Sequence, residues 1–237
     1  MYYKLEGRVR YSEIGEKGYL SLPGILNYFQ DCCTFHSESV GQGMGPVKAR
    51  KRTWVLSAWQ VVVNRYPRMG EEIIAGTAPY DFKGFSGSRN FFMDTKEGER
   101  LAYANSYWTN LDLTTGHPAK LTEEDVAGYE LSPKLDMVYE PRKISLPDHW
   151  EEKEAFPVQK HHLDTNHHVN NCQYVRMAED FLPEEFVIRQ MRAEYKGQAL
   201  LNDMIYPKIS YGEDRIVVLL NDKEEKPYTI IEFKQQI

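Results

Sequence analysis

Alternation of large with small or polar residues predicts strands in the first half of the chain. Residues 101–111 place Leu101, Tyr103 and Tyr107 on one parity, with Ala102 and Ala104 on the other. This pattern is typical of a long strand that packs on both faces. Further strands are predicted at residues 54–65, 71–80 and 88–94, and a turn at residues 96–98 joins the last of them to the strand at 101. Together they predict an antiparallel meander.

A helix is predicted ahead of this meander. Ser21 is suited to cap its amino end, and Pro23 suits the first helical turn. The residues that then recur at helical spacing on one face are Ile25, Phe29, Cys32 and His36. One helix is therefore expected to precede several strands.

The second half of the chain repeats this order of elements. Asn170 or Asn171 is expected to cap a helix that Pro183 ends. The strands predicted after that helix span residues 187–195, 204–211, 216–220 and 228–233. The predicted fold class is therefore α+β with an internal duplication, without the strand and helix alternation of a parallel dinucleotide-binding fold.

Residues 131–154 separate the two halves. This segment is acidic, contains Pro133, Pro141 and Pro147, and lacks sustained periodicity, which favours a connector. The predicted domains are residues 1–130 on one side of it and residues 155–237 on the other.

Composition and charge narrow the class of protein. Of the 237 residues, 41% are hydrophobic and 27% charged, which is typical of a globular chain, and the net charge of −6 does not favour nucleic acid as a partner. Neither a membrane span nor a secretory signal is predicted, and the three cysteines, two of them adjacent, favour reduced thiols. We therefore expect a cytoplasmic protein.

Two short segments resemble known functional motifs, but the elements predicted around them exclude those functions. The glycine-rich residues 41–45 follow a predicted helix and run into Pro46, so they indicate the end of a helix rather than a phosphate-binding loop. Residues 84–88 miss the nucleophile-elbow spacing by one position and lie between strands. A serine hydrolase is therefore not predicted.

Polar residues are densest between Lys160 and Tyr174, a segment that holds four of the seven histidines. Imidazoles beside a carboxylate are able to bind zinc, but no HExxH or cysteine-rich spacing is present. No metal is expected here, and no cofactor is predicted.

The same segment offers groups for acid–base chemistry. Asp164, Asn166 and His168 occupy alternate positions, so an extended backbone would project all three side chains on one face. The amino end of the second helix follows, where free N–H groups would favour an oxyanion. The same residues also suit a polar turn in which Asp164 and Asn166 bind backbone amides. Their spacing alone does not decide between the two interpretations.

A longer pattern adds a family resemblance. Residues 163–171, with Tyr174, closely resemble the signature L-D-x-N-x-H-V-N-N…Y of acyl-ACP thioesterases. Residues 54–60 and 194–196 also agree with that family, so the resemblance covers nearly the whole chain. It implies two tandem hot dog domains, each a long helix wrapped by an antiparallel sheet. It also implies hydrolysis of the thioester between a fatty acyl chain and acyl carrier protein, without metal or organic cofactor.

The resemblance assigns the catalytic residues to the second repeat. By position they are Asp164, Asn166 and His168, while Gln198 stands where plant members usually have Glu, and Ala199 excludes a cysteine nucleophile beside it. We expect Asp164 to activate water or to attack the thioester carbon, with Asn166 and Gln198 orienting the reacting groups. His168 would polarise or protonate, and helix amides would bind the oxyanion.

For the substrate, the resemblance implies an acyl tunnel between helix and sheet of the first repeat. Trp54, Trp59 and Trp108 are candidates to line it, although each ring also suits an ordinary core. The basic residues predicted to dock the acidic acyl carrier protein are Arg50, Lys51 and Arg52.

Other functions suit the same fold. An acyl-CoA thioesterase or a hydratase is the alternative enzyme, and a noncatalytic acyl-binding module is the alternative of another class. The sequence leaves open the acyl chain length, its saturation and whether two chains form a homodimer.

Overall fold

The computed structural model describes residues 1–236, except for the side chain of residue 48. The chain divides into two compact units. Residues 1–57 and 63–139 form the first unit, and residues 58–62 with those from 140 onward form the second. The change of unit between Tyr139 and Glu140 falls inside the predicted connector, so residues 131–139 belong to the first unit.

The first unit is an antiparallel sheet with one long helix. Its strands are β1 (Tyr3–Arg8), β2 (Arg52–Val63, of which residues 58–62 belong to the second unit), β3 (Glu72–Lys83), β4 (Ser86–Thr95) and β5 (Arg100–Asp112), in the order β1-β3-β4-β5-β2. Its helices are α1 (Leu22–Ser39), α2 (Met44–Arg50) and the single turn α3 (Glu123–Val126). The predicted meander is confirmed for β3, β4 and β5, whereas β2, which was predicted as its first strand, lies beside β5 instead of β3. Strand β1 and helix α2 were not predicted, because six residues of mixed charge and seven residues with Gly and Pro carry little periodic signal.

Helix α1 forms where the sequence predicts it. The side chain of Ser21 accepts the N–H of Gly24 at 3.1 Å, which satisfies one of the donors left unpaired at a helix start. The predicted apolar face is buried against the sheet: the rings of Phe29 and Phe91 lie 5.3 Å apart, and Cys32 Sγ donates to Ala75 O at 3.5 Å. This helix and β3 and β4 therefore enclose the core of the first unit.

One glycine in β3 leaves room for an aromatic ring. A Cβ atom built on Gly76 would overlap the ring of Phe92, which lies opposite on β4. That ring is held on other sides, because Tyr2 lies 5.3 Å from it and the Arg100 guanidinium 4.8 Å from its centre. The ring therefore has little freedom to move aside.

We predict that Gly76→Ala lowers the free energy of unfolding by about 1–3 kcal/mol, because the added methyl overpacks the Gly76–Phe92 contact. Urea denaturation measures this loss. Gly15→Ala is the matched control, since a Cβ at Gly15 meets nothing within 4 Å, and its effect is expected within about 0.5 kcal/mol. Equal stability of both variants would contradict the packing described.

The second unit repeats the plan with a shorter helix, α4 (Asn171–Glu179). The Asn170 side chain caps it by accepting the N–H of Cys172 at 2.8 Å, as predicted, but the helix ends at Glu179, four residues before Pro183. Its strands are β6 (Glu151–Glu152), β7 (Phe156–Pro157), β8 (Gln190–Tyr195), β9 (Met204–Tyr211), β10 (Ile216–Asn221) and β11 (Pro227–Lys234). Residues 58–62 begin the sheet order, followed by β8-β11-β10-β9-β6, and β7 also pairs with β9. None of the helices in residues 1–236 has both the length and the apolar character needed to cross a bilayer.

Part of the predicted connector is packed into the second unit. Ile144 is 1% exposed, contacts Val217 and Ile230, and donates its N–H to Glu194 Oε1 at 2.6 Å. The buried Arg192 pairs with Glu232 at 3.0 Å and donates to the carbonyl groups of residues 141 and 143. The second unit therefore holds these residues by side chains of β8, although the segment itself is mostly without regular structure.

Candidate active site

Residues 163–169 form a closed turn between a short 3₁₀ turn (Lys160–His162) and α4. Leu163 and Val169 pair as an isolated bridge, and Asp164 N donates to His168 O at 2.8 Å. His167 takes a left-handed backbone with φ of 64°. The prediction of an extended backbone that aligns residues 164, 166 and 168 is therefore wrong.

The Asp164 carboxylate explains why the segment turns. Its Oδ1 accepts the N–H of Asn166 at 2.7 Å and that of His168 at 3.3 Å, so the side chain competes with extended structure for these amides. Within residues 1–236, Oδ2 accepts no hydrogen bond from the protein. One oxygen thus holds the turn, as the alternative interpretation expects, and the other remains available for chemistry. Asn166 is exposed and His168 half-buried.

Residue 198 is brought to this turn by its neighbour. Ala199 is fully buried, its N–H donates to Tyr174 Oη at 2.8 Å, and its carbonyl accepts the N–H of Val169 at 3.0 Å. These two bonds fix the backbone beside Gln198 against the end of the turn. The Gln198 side chain itself is exposed. The structure therefore brings together the segments that carry Asp164, Asn166, His168 and Gln198.

The buried Tyr174 hydroxyl lies close enough to Asp164 to be affected by its charge. Burial raises the pKa of Tyr174 well above its usual value, and the nearby carboxylates of Asp203 and Asp164 act in the same direction. The hydroxyl therefore stays protonated and neutral while it accepts the Ala199 N–H. The charge of Asp164 therefore contributes to the raised pKa of Tyr174, which places the two side chains in the same site.

The amino end of α4 offers fewer donors than the sequence predicts. The N–H of Cys172 is taken by Asn170 Oδ1, and those of Gln173 and Tyr174 donate to Asn170 O at 2.8 and 3.4 Å. In the described part of the chain, the N–H of Asn171 is the first-turn donor that remains for an oxyanion.

His162, another histidine of this region, has a structural role. His162 Nδ1 accepts the N–H of Gln159 at 3.0 Å, and burial and the neighbouring His161 lower the pKa of His162. Among residues 1–236, no group of three or more His, Cys, Asp or Glu side chains is arranged to hold a metal ion.

The three cysteines are free and buried, as predicted, and burial raises the pKa of Cys32 and of Cys172 to about 12. Neither thiol is therefore a nucleophile near neutral pH.

The first unit contains a cavity of about 180 Å³. Trp54, Trp108 and Phe82 line it, so two of the three predicted tryptophans lie at a cavity within the first unit. Trp59 does not line it: its side chain is 5% exposed, and its backbone pairs with Ala193 of β8 in the second unit. Trp59 thus lies apart from this cavity, because residues 58–62 belong to the second unit, and its contact with an acyl chain stays a prediction.

A buried polar cluster that the sequence analysis missed also borders this cavity. Arg89 is 6% exposed, and its Nη1 donates to His36 Nδ1 at 2.9 Å and to Thr77 Oγ1 at 3.2 Å. Burial, aided by the Arg89 charge, lowers the pKa of His36 to about 4. The signal in the sequence was Arg89 sharing strand parity with the buried Phe91 and Met93.

We predict that His36 makes stability depend on pH between about 6.5 and 4. Between pH 6.5 and 4, the unfolded chain binds a proton at His36 and the folded protein does not. The free energy of unfolding therefore falls with falling pH, by up to about 1.4 kcal/mol per pH unit. His36→Gln keeps an acceptor for Arg89 but does not titrate. Urea denaturation from pH 7.5 to 4.5 should therefore show a flatter decline for the variant, and parallel declines would contradict the prediction.

The predicted docking residues are mostly engaged within the first unit. Arg50 bonds to Gln42 Oε1 and lies 3.7 Å from Glu124, and Arg52 pairs with the buried Asp125 at 2.7 Å. Lys51 is exposed, with a left-handed backbone of φ 55°. Of the three, only Lys51 presents a charge without an ion pair among the described residues.

Comparison with known proteins agrees with this architecture. The family model of the acyl-ACP thioesterase N-terminal domain matches residues 1–129, and that of the C-terminal domain matches residues 146–201. The chain belongs to the acyl-ACP thioesterase family.

Curated relatives include plant proteins. The palmitoyl-acyl carrier protein thioesterase of Arabidopsis thaliana is 28% identical over 211 residues, covering 80% of this chain and 50% of the relative. The dodecanoyl-[acyl-carrier-protein] hydrolase of Cinnamomum camphora is 26% identical over 217 residues, covering 83% and 56%. The chain thus spans about half the length of the curated relatives it matches.

Solved structures show the same fold over nearly the whole chain. An acyl-ACP thioesterase from Bacteroides thetaiotaomicron has a TM-score of 0.91 at 20% identity, covering 98% of this chain and 97% of that one. The 12:0-ACP thioesterase from Umbellularia californica has a TM-score of 0.82 at 19% identity, covering 98% and 96%. The predicted α+β fold of tandem hot dog domains is confirmed.

Proposed function

We propose that this protein hydrolyses the thioester of a fatty acyl chain on acyl carrier protein, releasing free fatty acid and holo-acyl carrier protein. The main support is the divided carboxylate of Asp164, whose Oδ1 holds the turn while Oδ2 accepts no bond from residues 1–236. Membership of the acyl-ACP thioesterase family supports the reaction class.

In the proposed reaction, Asp164 Oδ2 takes a proton from water as the water oxygen bonds to the acyl carbon. The carbonyl oxygen becomes an oxyanion, for which the Asn171 N–H is the available helix donor. The C–S bond then breaks, the carbonyl re-forms, and the leaving sulfur takes the proton that Asp164 received from water, either directly or relayed through His168. In the alternative, Asp164 Oδ2 bonds to the acyl carbon as the C–S bond breaks and the thiolate leaves; water then hydrolyses the anhydride, which frees the Asp164 carboxylate and the fatty acid, and the proton released goes to the thiolate.

Asn166 and Gln198 have orienting roles in this proposal. Both side chains are exposed, and both are carried by segments anchored at the turn, Asn166 through its N–H on Asp164 and Gln198 through its neighbour Ala199. An amide supplies both donor and acceptor groups without titrating. Gln198 would therefore position water or carbonyl without acting as the base.

We predict that Asp164→Asn lowers kcat for acyl-ACP hydrolysis by about 10²–10⁴-fold, the range expected for loss of a general base. The substituted amide keeps an oxygen for the N–H groups of Asn166 and His168, so the turn should survive while the charge is lost. Thiol release measures turnover, and circular dichroism checks the fold.

Asp222→Asn is the matched control for this change. Asp222 Oδ1 also accepts two backbone N–H groups, those of Glu224 and Lys226 at 2.8 and 2.9 Å, in the turn between β10 and β11. Its replacement should leave kcat unchanged. Near-normal turnover of a folded Asp164→Asn protein would remove the catalytic assignment.

For the carrier, we propose that Lys51 contributes to docking of the acidic acyl carrier protein, while Arg50 and Arg52 stabilise the first unit through Glu124 and Asp125. Trp54 and Trp108 would contact the acyl chain in the cavity of that unit. Both assignments extend the proposed hydrolysis to its substrate.

We predict that Lys51→Glu raises KM for acyl-ACP several-fold, leaves kcat unchanged, and weakens the dependence of KM on salt. Steady-state kinetics at two ionic strengths measure both effects. Lys17→Glu, at another exposed lysine, should not change KM. Unchanged kinetics of Lys51→Glu would remove the docking role, and a higher kcat/KM for acyl-CoA than for acyl-ACP would favour the alternative thioesterase.

A further inference from the structure

The cavity of the first unit borders a buried positive charge. Arg89 lies on β4, and its guanidinium contacts His36, Thr77 and the ring of Tyr129, whose centre is 5.4 Å from Cζ. In the described residues, no carboxylate lies within ion-pair distance of this guanidinium. Burying a charge is costly unless it is paired, so an unpaired guanidinium is an unusual component of a core.

A second buried arginine shows the ordinary arrangement. The side chain of Arg192 is 7% exposed and lies 3.0 Å from Glu232, with backbone carbonyls around its other donors. Arg52 likewise faces the buried Asp125 at 2.7 Å. Arg89 differs because the groups around it supply acceptors but no compensating charge.

The ionisable groups near Arg89 are neutral. His36 has a lowered pKa of about 4, and burial raises the pKa of Cys33 and of Tyr129 although Arg89 opposes the rise. Glu38 borders the cavity too, but it is exposed and accepts the N–H of Met44 at 2.9 Å. Among the described lining residues, Arg89 therefore carries the positive charge, and Glu38, which supplies the carboxylate, is not paired with it.

The rest of the lining is suited to hydrocarbon. Trp54, Trp108, Phe82, Val47 and Met44 present apolar side chains. A cavity of about 150 Å³ accommodates benzene, so one of about 180 Å³ accommodates at least about six carbon atoms. A positive charge beside such a lining selects a ligand with an apolar chain and an anionic end.

We propose that this cavity binds an aliphatic carboxylate, with the carboxylate on the Arg89 guanidinium and the chain against Trp54 and Trp108. The planar fork of a guanidinium matches the two oxygens of a carboxylate, and Nε and Nη2 carry donors beyond those used by His36 and Thr77. The carboxylate has two sources, a free fatty acid or the far end of an ω-carboxyacyl thioester. The second source rests on the proposed hydrolysis, whereas the first does not.

Binding of octanoate, 1-octanol and octylamine to the wild-type protein tests the charge preference. Titration calorimetry should show octanoate binding at least about 10-fold more tightly than either analogue of equal chain length. Equal binding of octanoate and 1-octanol, or no binding of octanoate, would overturn the proposal. This comparison requires neither a variant nor turnover, so it is independent of the proposed hydrolysis.

Substitution of Arg89 then assigns the preference to this residue. Arg89→Met should weaken octanoate binding at least about 10-fold while 1-octanol binding is kept, and Arg89→Lys should retain part of the octanoate preference. Unchanged octanoate affinity in a folded Arg89→Met protein would overturn the assignment. If Arg89→Met does not fold, loss of the fork geometry in Arg89→Lys provides the second test, and an unchanged affinity there would contradict bidentate binding.

Hydrolysis assays separate the two sources of the carboxylate. A higher kcat/KM for ω-carboxyoctanoyl-ACP than for octanoyl-ACP, reversed by Arg89→Met, would support recognition of the far end of the substrate. Octanoate binding without that preference would support a site for free fatty acid. Absence of octanoate binding would overturn the proposal whatever the substrate preference, and absence of all turnover with octanoate still bound would count against the proposed hydrolysis alone.

Discussion

The candidate site depends on one carboxylate oxygen that binds two backbone amides. Asp164 Oδ1 closes the turn from residue 164 to residue 168, which lies directly before the Asn170 cap of α4. The Val169–Ala199 bond then fixes the segment of Gln198 beside it, and Tyr174 holds Ala199 from the helix. Without the bonds to Asp164 Oδ1, the backbone that carries the polar side chains of the signature would not be held in one conformation.

The arrangement also reconciles two interpretations that the sequence leaves open. An Asx-type turn and a catalytic carboxylate are usually treated as alternatives, because a carboxylate satisfied by backbone amides has a structural role. Here the two roles fall on different oxygens of Asp164. The same bonds that hold the turn therefore also orient the oxygen to which we assign the chemistry.

Local signals predicted much of the fold. Ser21 and Asn170 cap the two helices because their side chains reach amides only two or three residues away, a distance within the range of a sequence pattern. The strands followed from alternation, and the family signature singled out Asp164, Asn166 and His168 as candidate catalytic residues. The predicted extended backbone at residue 164 failed because periodicity does not register competition from a side chain for its own backbone amides.

Contacts between residues far apart in the chain could not be predicted from the sequence. Arg52 meets Asp125 across 73 positions, so a run of basic residues that suggested a docking surface is largely neutralised. Trp59 belongs to the second unit, and Arg89 enters the core of the first, because of sheet registers that no local pattern specifies. A charge that shares parity with apolar residues is the one local hint that Arg89 provides.

Hydrogen exchange at the amides of Asn166 and His168, compared between Asp164→Asn and Asp164→Ala, tests the central division of roles most directly. Slow exchange is expected in the Asn variant, fast exchange in the Ala variant, and loss of thiol release in both. Fast exchange in the Asn variant would show that inactivity comes from loss of the turn. Retained thiol release with slow exchange would show that the Asp164 charge is not needed, and either result would contradict the division of roles between the two Asp164 oxygens.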